Sequence, residues 1–354
     1  MPLKTTRRTA LAAAMALTLS VRRPVGARQE LGKIQAESPL DWFPPPPEDR
    51  ADWPISILTY ADIAGYWAAN GQERPRAFDD ETAPLWLEVS QRIPLNDGIL
   101  FQYMVTEWDE LIGLNPWDVD QVAVAFDPPK QIRVYAGAFD PERIANRLGS
   151  AGYEVRTEGK FTVLDNPSDD FDLTSELGRN TLGNFNHLAA TETLVIASRS
   201  RSQIDGLLEI AAGDDESMAD APELADLATM IPDLLGFIIV NDALPAAAAD
   251  QEDNPQVILH LAGYVTEETG ASIVLAADLG DEVAALDAVA VVSDRIANDQ
   301  TDVSQIPYAD LLGDHEVDVA PGTNVLRVTV SDEEFATRWM QFVYTGDLRS
   351  LLRR

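Results

Sequence analysis

The 354-residue sequence predicts an α+β protein of two related lobes, each a largely antiparallel sheet with helices on one face and loosely ferredoxin-like in order. Three observations carry that expectation. A short β-rich run, a capping residue and an amphipathic helix recur as a unit along the chain. Two pairs of β-rich runs are joined by tight turn signals, which marks antiparallel neighbours. With 45% hydrophobic and 24% charged residues, the chain can bury one large core or two modest ones.

The first unit runs from Ile55 to Thr59 into a helix through Trp67, with Thr59 as cap and Asn70-Gly71 as stop. In the second, Ile132, Val134, Ala136 and Ala138 alternate with Arg133, Tyr135 and Gly137, the period of a sheet with one buried face. Asp140 then caps a helix, Pro141 takes the first position, where its missing N–H costs nothing, and Ile144 with Leu148 form the buried stripe. The third unit joins Leu194 to Ala197 with a helix carrying Ile204, Leu207, Leu208 and Ala211, opened by Ser200 and Gln203 at capping-box spacing. In the fourth, Ile273 to Ala277 precedes a helix whose stripe reads Val283, Leu286, Val289 and Ile296. The fifth has Leu326, Val328 and Val330 facing one way, Ser331 and Glu334 as capping box, then Phe335, Trp339 and Phe342 at helical spacing. That aromatic stripe reads as core, not as a cofactor box.

Hairpins are expected where Val122 to Phe126 turns into Ile132 to Phe139, and where Val257 to Val265 turns into Ser272 to Ala277. Breaks rich in Asp, Asn, Ser, Gly and Pro fall at Asp165 to Asn184 and Ala243 to Pro255. The organisation these features predict is a signal peptide over 1–27, a Pro-rich tether over 28–52, lobe 1 over 53–165 and a connecting loop over 166–190. Lobe 2 over 191–348 and a tail over 349–354 complete it. Pro44 to Pro47 favour an extended tether, flanked by Trp42, Phe43 and Trp53 as anchors to the body. With helices on one side only, each sheet would present a polar face bearing Arg133, Tyr135, Arg327 and Thr329.

Lys4, Arg7 and Arg8 precede an apolar run from Ala10 to Val21, too short for the roughly 20 apolar residues of a membrane span. A basic start, a short apolar stretch and small residues at Val25-Gly26-Ala27 make a secretory signal cut after Ala27. Thr6-Arg7-Arg8-Thr9-Ala10-Leu11 resembles the twin-arginine core, an address read by a receptor. The chain is therefore expected to work outside the cytoplasm, secreted or associated with the cell envelope. It has no Cys, which excludes thiolate nucleophiles, zinc-thiolate sites and iron–sulfur ligation.

The sequence carries 26 basic and 59 acidic residues, a net charge of −33. The signal takes five of the basic residues and no acid, so 21 against 59 leaves −38 on the mature chain. Such a surface repels phosphate backbones and anionic membranes, which excludes nucleic acid as a partner. A protein, peptide or glycan outside the cytoplasm is the expected partner, with no integral membrane segment.

No G-x-S-x-G, S-x-x-K, H-E-x-x-H, P-loop or G-x-G-x-x-G motif occurs, so no catalytic, cofactor-binding or metal-ligating residue is assigned from the sequence. His187, His260 and His315 are spread along the chain, His260 reading as a structural strand residue and His315 as an exposed loop residue. A scattered Ser-His-Asp triad is defined by geometry and is not legible in spacing. Asp165-Asn166-Pro167-Ser168-Asp169-Asp170-Phe171-Asp172 gathers the hard oxygen ligands that calcium requires, without the glycine and terminal Glu of an EF-hand loop. Six of seven tryptophans, Trp42, Trp53, Trp67, Trp86, Trp108 and Trp117, fall in one third of the chain and read as packing between tether and lobe 1.

Asp118-Val119-Asp120-Gln121, Asp127-Pro128-Pro129, Gly137-x-Phe139-Asp140 and Gly152-Tyr153 are turn and cap residues spread over about residues 41–240. In them the chain resembles a group of uncharacterised exported bacterial proteins with repeated strand-helix units. The resemblance implies export and an α+β fold, and that group has no assigned activity to carry over. The functional expectation is a non-catalytic binding or interaction protein, the alternative a hydrolase acting on envelope or environmental polymers.

Overall fold

Long apolar runs such as Phe237 to Val240 and Leu194 to Ala197, buried at every residue, belong to strands covered on both faces. A computed structural model describes residues 38–45, 55, 57–95, 108–127, 130–168, 170, 174–221, 224–230, 234–241, 259–267 and 270–352. The signal peptide expected over 1–27, Trp53, and the break at residues 243–255 lie outside the described residues.

The strands are β1 (Ile57–Asp62), β2 (Val119–Asp127), β3 (Lys130–Gly137), β4 (Glu154–Glu158), β5 (Phe161–Asp165) and β6 (His187–Ala190). They continue with β7 (Leu194–Ser198), β8 (Gly236–Asn241), β9 (Leu259–Glu267), β10 (Gly270–Asp278), β11 (His315–Val319) and β12 (Val325–Val330). Every neighbouring pair is antiparallel, in the order β11-β12-β10-β9-β8-β1-β2-β3-β7-β6-β5-β4. Both expected hairpins form, closing at Asp127 against Lys130 and at Glu267 against Gly270.

The chain is α+β, as the sequence predicts, but its sheet is single where two were expected. Each half of the sequence builds half of it: a first strand, a hairpin, a helix, then strands that return from the outer edge to the hairpin. The two first strands, β1 and β8, pair directly, Thr59 opposite Ile238, and fuse the halves edge to edge. The ferredoxin-like order is not adopted, because β1 pairs with β2 and β8 and no strand has a parallel neighbour. Residues 166–190, expected as a connecting loop, include α-helix Glu176–Thr181 and strand β6, so they lie inside the first half of the sheet.

Helices also cover both faces. The first face, with Val122, Tyr135, Ile238 and Leu275, packs under α1 (Ile63–Ala69), α2 (Ala83–Arg92), α3 (Trp108–Ile112) and α4 (Pro141–Ser150). The same layer continues through α8 (Glu282–Asn298), α9 (Tyr308–Leu312), α10 (Glu333–Ala336), α11 (Trp339–Thr345) and α12 (Arg349–Leu352). The second face, with Tyr60, Val134, Ile196 and Phe237, packs under α6 (Arg201–Ala212), α7 (Ala225–Ala228) and the 3-10 turns Pro39–Trp42 and Met218–Asp220. The helix Glu176–Thr181, α5, lies between β5 and β6.

The expected polar sheet face is therefore corrected. Arg133 is 2% exposed and Tyr135 fully buried under the first helical layer, Tyr135 stacked on Phe185 at 6.2 Å; Arg327 and Thr329 are half-buried. Of the three anchors expected beside the Pro run, Phe43 is buried and Trp42 half-buried; Leu40 is buried too, and the Met218 N–H donates to the Phe43 carbonyl at 2.6 Å.

Local signals set most helix ends. Asp140 caps α4 through the Arg143 N–H at 3.0 Å. At two other ends the cap differs from the expected residue, and at a third the expected residue stands at the cap without its bond. Asp62 caps α1 in place of Thr59, because β1 runs three residues further. Asp332 caps α10 in place of Ser331, whose hydroxyl instead meets Ser272. Ser200 makes no capping bond, and Gln203 is held by Ser198.

Gly137 ends β3 hard against the residue that precedes β2: a Cβ there would lie 1.9 Å from the Asp118 carbonyl oxygen. Since that obstacle is backbone, Gly137→Ala should cost about 2 kcal/mol or more, within the range for overpacked sites. Urea unfolding checks this. A cost under about 0.5 kcal/mol, the scale of neutral surface changes, would mean that the backbone at Asp118 yields freely.

Candidate functional site

Antiparallel register places Asp165, His187 and Ser198 in one row across β5, β6 and β7, Asp165 opposite His187 and His187 opposite Ser198. Directly opposed side chains share a sheet face. The three residue types of a hydrolytic triad thus come together from positions 22 and 11 residues apart.

His187 Nδ1 lies 2.8 Å from Asp165 Oδ1. A carboxylate only accepts, so Nδ1 carries the proton of this bond. Arg201, from the first turn of α6, donates through Nη1 to both Asp165 oxygens at 2.9 Å, and Arg156 of edge strand β4 donates through Nε at 3.0 Å. Glu158 accepts from Arg201 Nη2 at 3.3 Å and also pairs with Arg156, while Asp205 pairs with Arg201 one helical turn on. At the other end of the row the Ser198 hydroxyl donates to Gln203 Oε1 at 2.6 Å and accepts the Ser200 N–H at 3.1 Å.

This geometry is a cross-link in which catalytic parts are spent on structure. A triad serine must hand its proton to the histidine and expose its oxygen to a carbonyl carbon. The Ser198 proton is directed to Gln203, Ser198 is fully buried and His187 is 4% exposed. Asp165, shared among two guanidinium groups and an imidazole, ties β4, β5, β6 and α6 into one corner.

The other histidines stand apart. His260 lies in β9, half-buried, on the face of Ala262 and Tyr264, and borders an apolar cavity of about 30 Å³ with Val240, Leu275, Val343, Leu348 and Leu352. That volume suits about two waters, not a substrate. His315, expected in a loop, opens edge strand β11; it is exposed, with Nδ1 2.7 Å from the Gly313 carbonyl.

In the acidic loop after β5, Asp165 points to its cations. Asn166 accepts the Ser168 N–H, and Asn186 Nδ2 binds the carbonyls of Ser168 and Asp170 at 3.0 and 3.1 Å. Asp169, Phe171 and Asp172 lie outside the described residues, and no metal-ligand cluster occurs among the described ones.

The tryptophans, expected between tether and lobe 1, pack mostly on one another within the first helical layer, and among the described residues Trp42 alone meets the body from the tether, 6.4 Å from Tyr60. Trp67 meets Trp86 edge-on at 5.4 Å, Trp86 lies 5.7 Å from Trp117, and Trp108 is fully buried against Phe185. Beside them, Tyr66 and Tyr264 are 6.0 Å apart, their phenols pushed above the usual tyrosine range mainly by burial. Burial opposes the charge on Arg92, but bonds to Glu333 and Tyr264 outweigh it and hold the guanidinium above the ordinary range. Burial pushes the Tyr153 phenol up to about 12, and its hydroxyl donates to the Phe185 carbonyl at 2.9 Å. These phenols stay protonated near neutral pH; Tyr153 donates to backbone, and Tyr264 accepts from Arg92.

The chain is similar to TP0453. Crystal forms I and III of that protein match with TM-scores of 0.41 and 0.39 at 11% identity, over 88% of this chain and 99% and 100% of theirs. No family model and no curated protein matches the sequence.

Sequence reasoning missed the row because its members are ordinary residues until strand register is known. A weak signal was present: Asp165, His187 and Ser198 each sit at the end of a short apolar run, the position that adjacent antiparallel strands bring together.

Proposed function

We propose that this chain is an exported, non-catalytic binding protein that works outside the cytoplasm and takes a protein, peptide or glycan partner. The observation that carries the reading is the Ser198 hydroxyl, buried and donating to Gln203 at 2.6 Å, in the one row that unites serine, histidine and aspartate among the described residues. Export is supported by Arg7-Arg8, the apolar run to Val21 and the small residues ending at Ala27. No described helix is long and apolar enough to cross a membrane.

Two measurements test the proposal. The mature protein, screened against ester, peptide and glycoside substrates, should show no turnover. Turnover lost in Ser198→Ala would replace binding with hydrolysis. Changing Arg7 and Arg8 together to Lys should stop export and leave the uncut precursor inside the cell. Normal export of that variant would remove the twin-arginine route.

A further inference from the structure

The fourth repeated unit holds an inversion. Of its expected stripe, Ile296 is buried and Val289 packs against the core, but Val283 and Leu286 face outward, and α8 turns Ala284, Ala285, Ala288 and Val292 inward in their place. Val283 is 68% exposed, Leu286 57% and Val291 43%, with Ala290 and Ala297 exposed between and beyond them. Positions 283, 286, 290 and 297 recur at helical spacing and form one outward stripe. Alanines beneath let the helix approach β11 and β12 closely, but burial favours the larger side chains, so intramolecular packing alone gives no reason to leave valine and leucine outside.

The rim of the stripe is acidic. Asp281, Glu282, Asp287 and Asp294 are exposed along α8, and Asp299 and Asp302 follow its end. The helix's one cation, Arg295, is turned toward α12, where Nη1 donates to the Leu351 carbonyl at 3.2 Å. A second copy of this chain would bring the same acidic rim against itself, and an anionic lipid surface would meet it with like charge.

We propose that the outer face of α8 docks a basic amphipathic segment of a partner protein: an apolar stripe that packs on Val283, Leu286 and Ala290, flanked by Lys or Arg set against the acidic rim. The inference rests on the binding reading above and names the chemistry of its partner. Seventeen residues make a helix of about 25 Å, long enough to hold a partner helix of some four to five turns.

The test uses the mature protein and a synthetic 18-residue Leu/Lys amphipathic helix as probe, with a scrambled peptide and a Leu/Glu version as controls. The Leu/Lys helix should bind and the two controls should not. The double variant Val283→Glu, Leu286→Glu should weaken binding at least tenfold, although it adds negative charge. Attraction by charge alone would tighten in that variant, and unchanged or tighter binding overturns the proposal. Both side chains are already in solvent, so an unchanged Tm verifies that the variant folds, and Val155→Glu on edge strand β4, 47% exposed in the wild type, should bind like wild type. Self-association or uptake by phosphatidylcholine vesicles that the double variant abolishes would assign the stripe to a second copy or to a bilayer, and either result overturns it. Failure here leaves the binding reading standing, whereas turnover in the hydrolase screen removes that reading without involving α8.

Discussion

Asp165→Ala should lower the unfolding free energy by about 2–3 kcal/mol, on the reasoning that removing one partner of a buried ion pair costs about 3–5 kcal/mol and that water reaches part of this one. The carboxylate satisfies Arg201 through both oxygens, Arg156 through one and His187 through the other. Its loss leaves two guanidinium groups and an imidazole facing a hole at the β4–β5–β6 corner. Arg156 is 38% exposed and Arg201 23%, so both recover some hydration, which sets the effect below the fully buried limit. Asp165→Asn keeps one acceptor and should cost less. Adding Arg201→Met to Asp165→Ala should cost less than about 1 kcal/mol more, since the partners Arg201 then still has, Glu158 and Asp205, are 39% and 50% exposed. Urea unfolding of the three variants measures this. A cost for Asp165→Ala below about 0.5 kcal/mol, the size of an exposed pair, would show that the corner is held by its apolar contacts alone.

The same corner shows which parts of the molecule can be read from sequence. The hairpins β2–β3 and β9–β10, and the cap of α4 by Asp140, are set by residues a few positions apart, and local chemistry decides them. The row Asp165–His187–Ser198 and the fusion of two sheets into one are decided by strand pairing across long separations, Ile57 to Val240 in the β1–β8 pair. Alternation reports that a strand has an inside. It does not report what lies on the other side, and so Arg133 and Tyr135, read as a polar face, lie beneath helices. In α8 both sides of the helix are apolar, and a reading by side-chain size chose Val283 and Leu286 where packing distance chose alanine.

Asp347 should be the most acid-sensitive anchor of the second half. It is fully buried after α11 and gathers the turn that joins α8 to α9: its carboxylate accepts the N–H groups of Val303 and Ser304 at 3.0 and 2.9 Å and the hydroxyls of Ser304 and Thr345 at 2.7 Å. Its own carbonyl accepts from the Tyr308 hydroxyl at 2.9 Å. The turn includes Gln305 at φ 54°, a left-handed conformation that a non-glycine residue holds only when its surroundings enforce it. Burial works against the Asp347 charge, but the bonds from Ser304, Thr345 and Val303 outweigh it and hold the carboxyl below the usual aspartate range. A folded-state value below the unfolded one, near 3.9, means that this contribution is complete above about pH 5 and fades as pH falls through the folded value. Asp347→Ala should cost about 2–3 kcal/mol near pH 7, because four bonds converge on this one buried carboxylate and are lost at once, while the exposed donors on Val303, Ser304 and Thr345 recover some water. Asp347→Asn keeps the shape and should cost about 1–2 kcal/mol near pH 7, a gap that narrows toward pH 3 as the wild-type carboxylate is protonated. Urea unfolding of wild type and Asp347→Asn from pH 3 to 7 decides it: a difference that stays flat or widens in acid would show that the anchor holds the turn equally well without its charge.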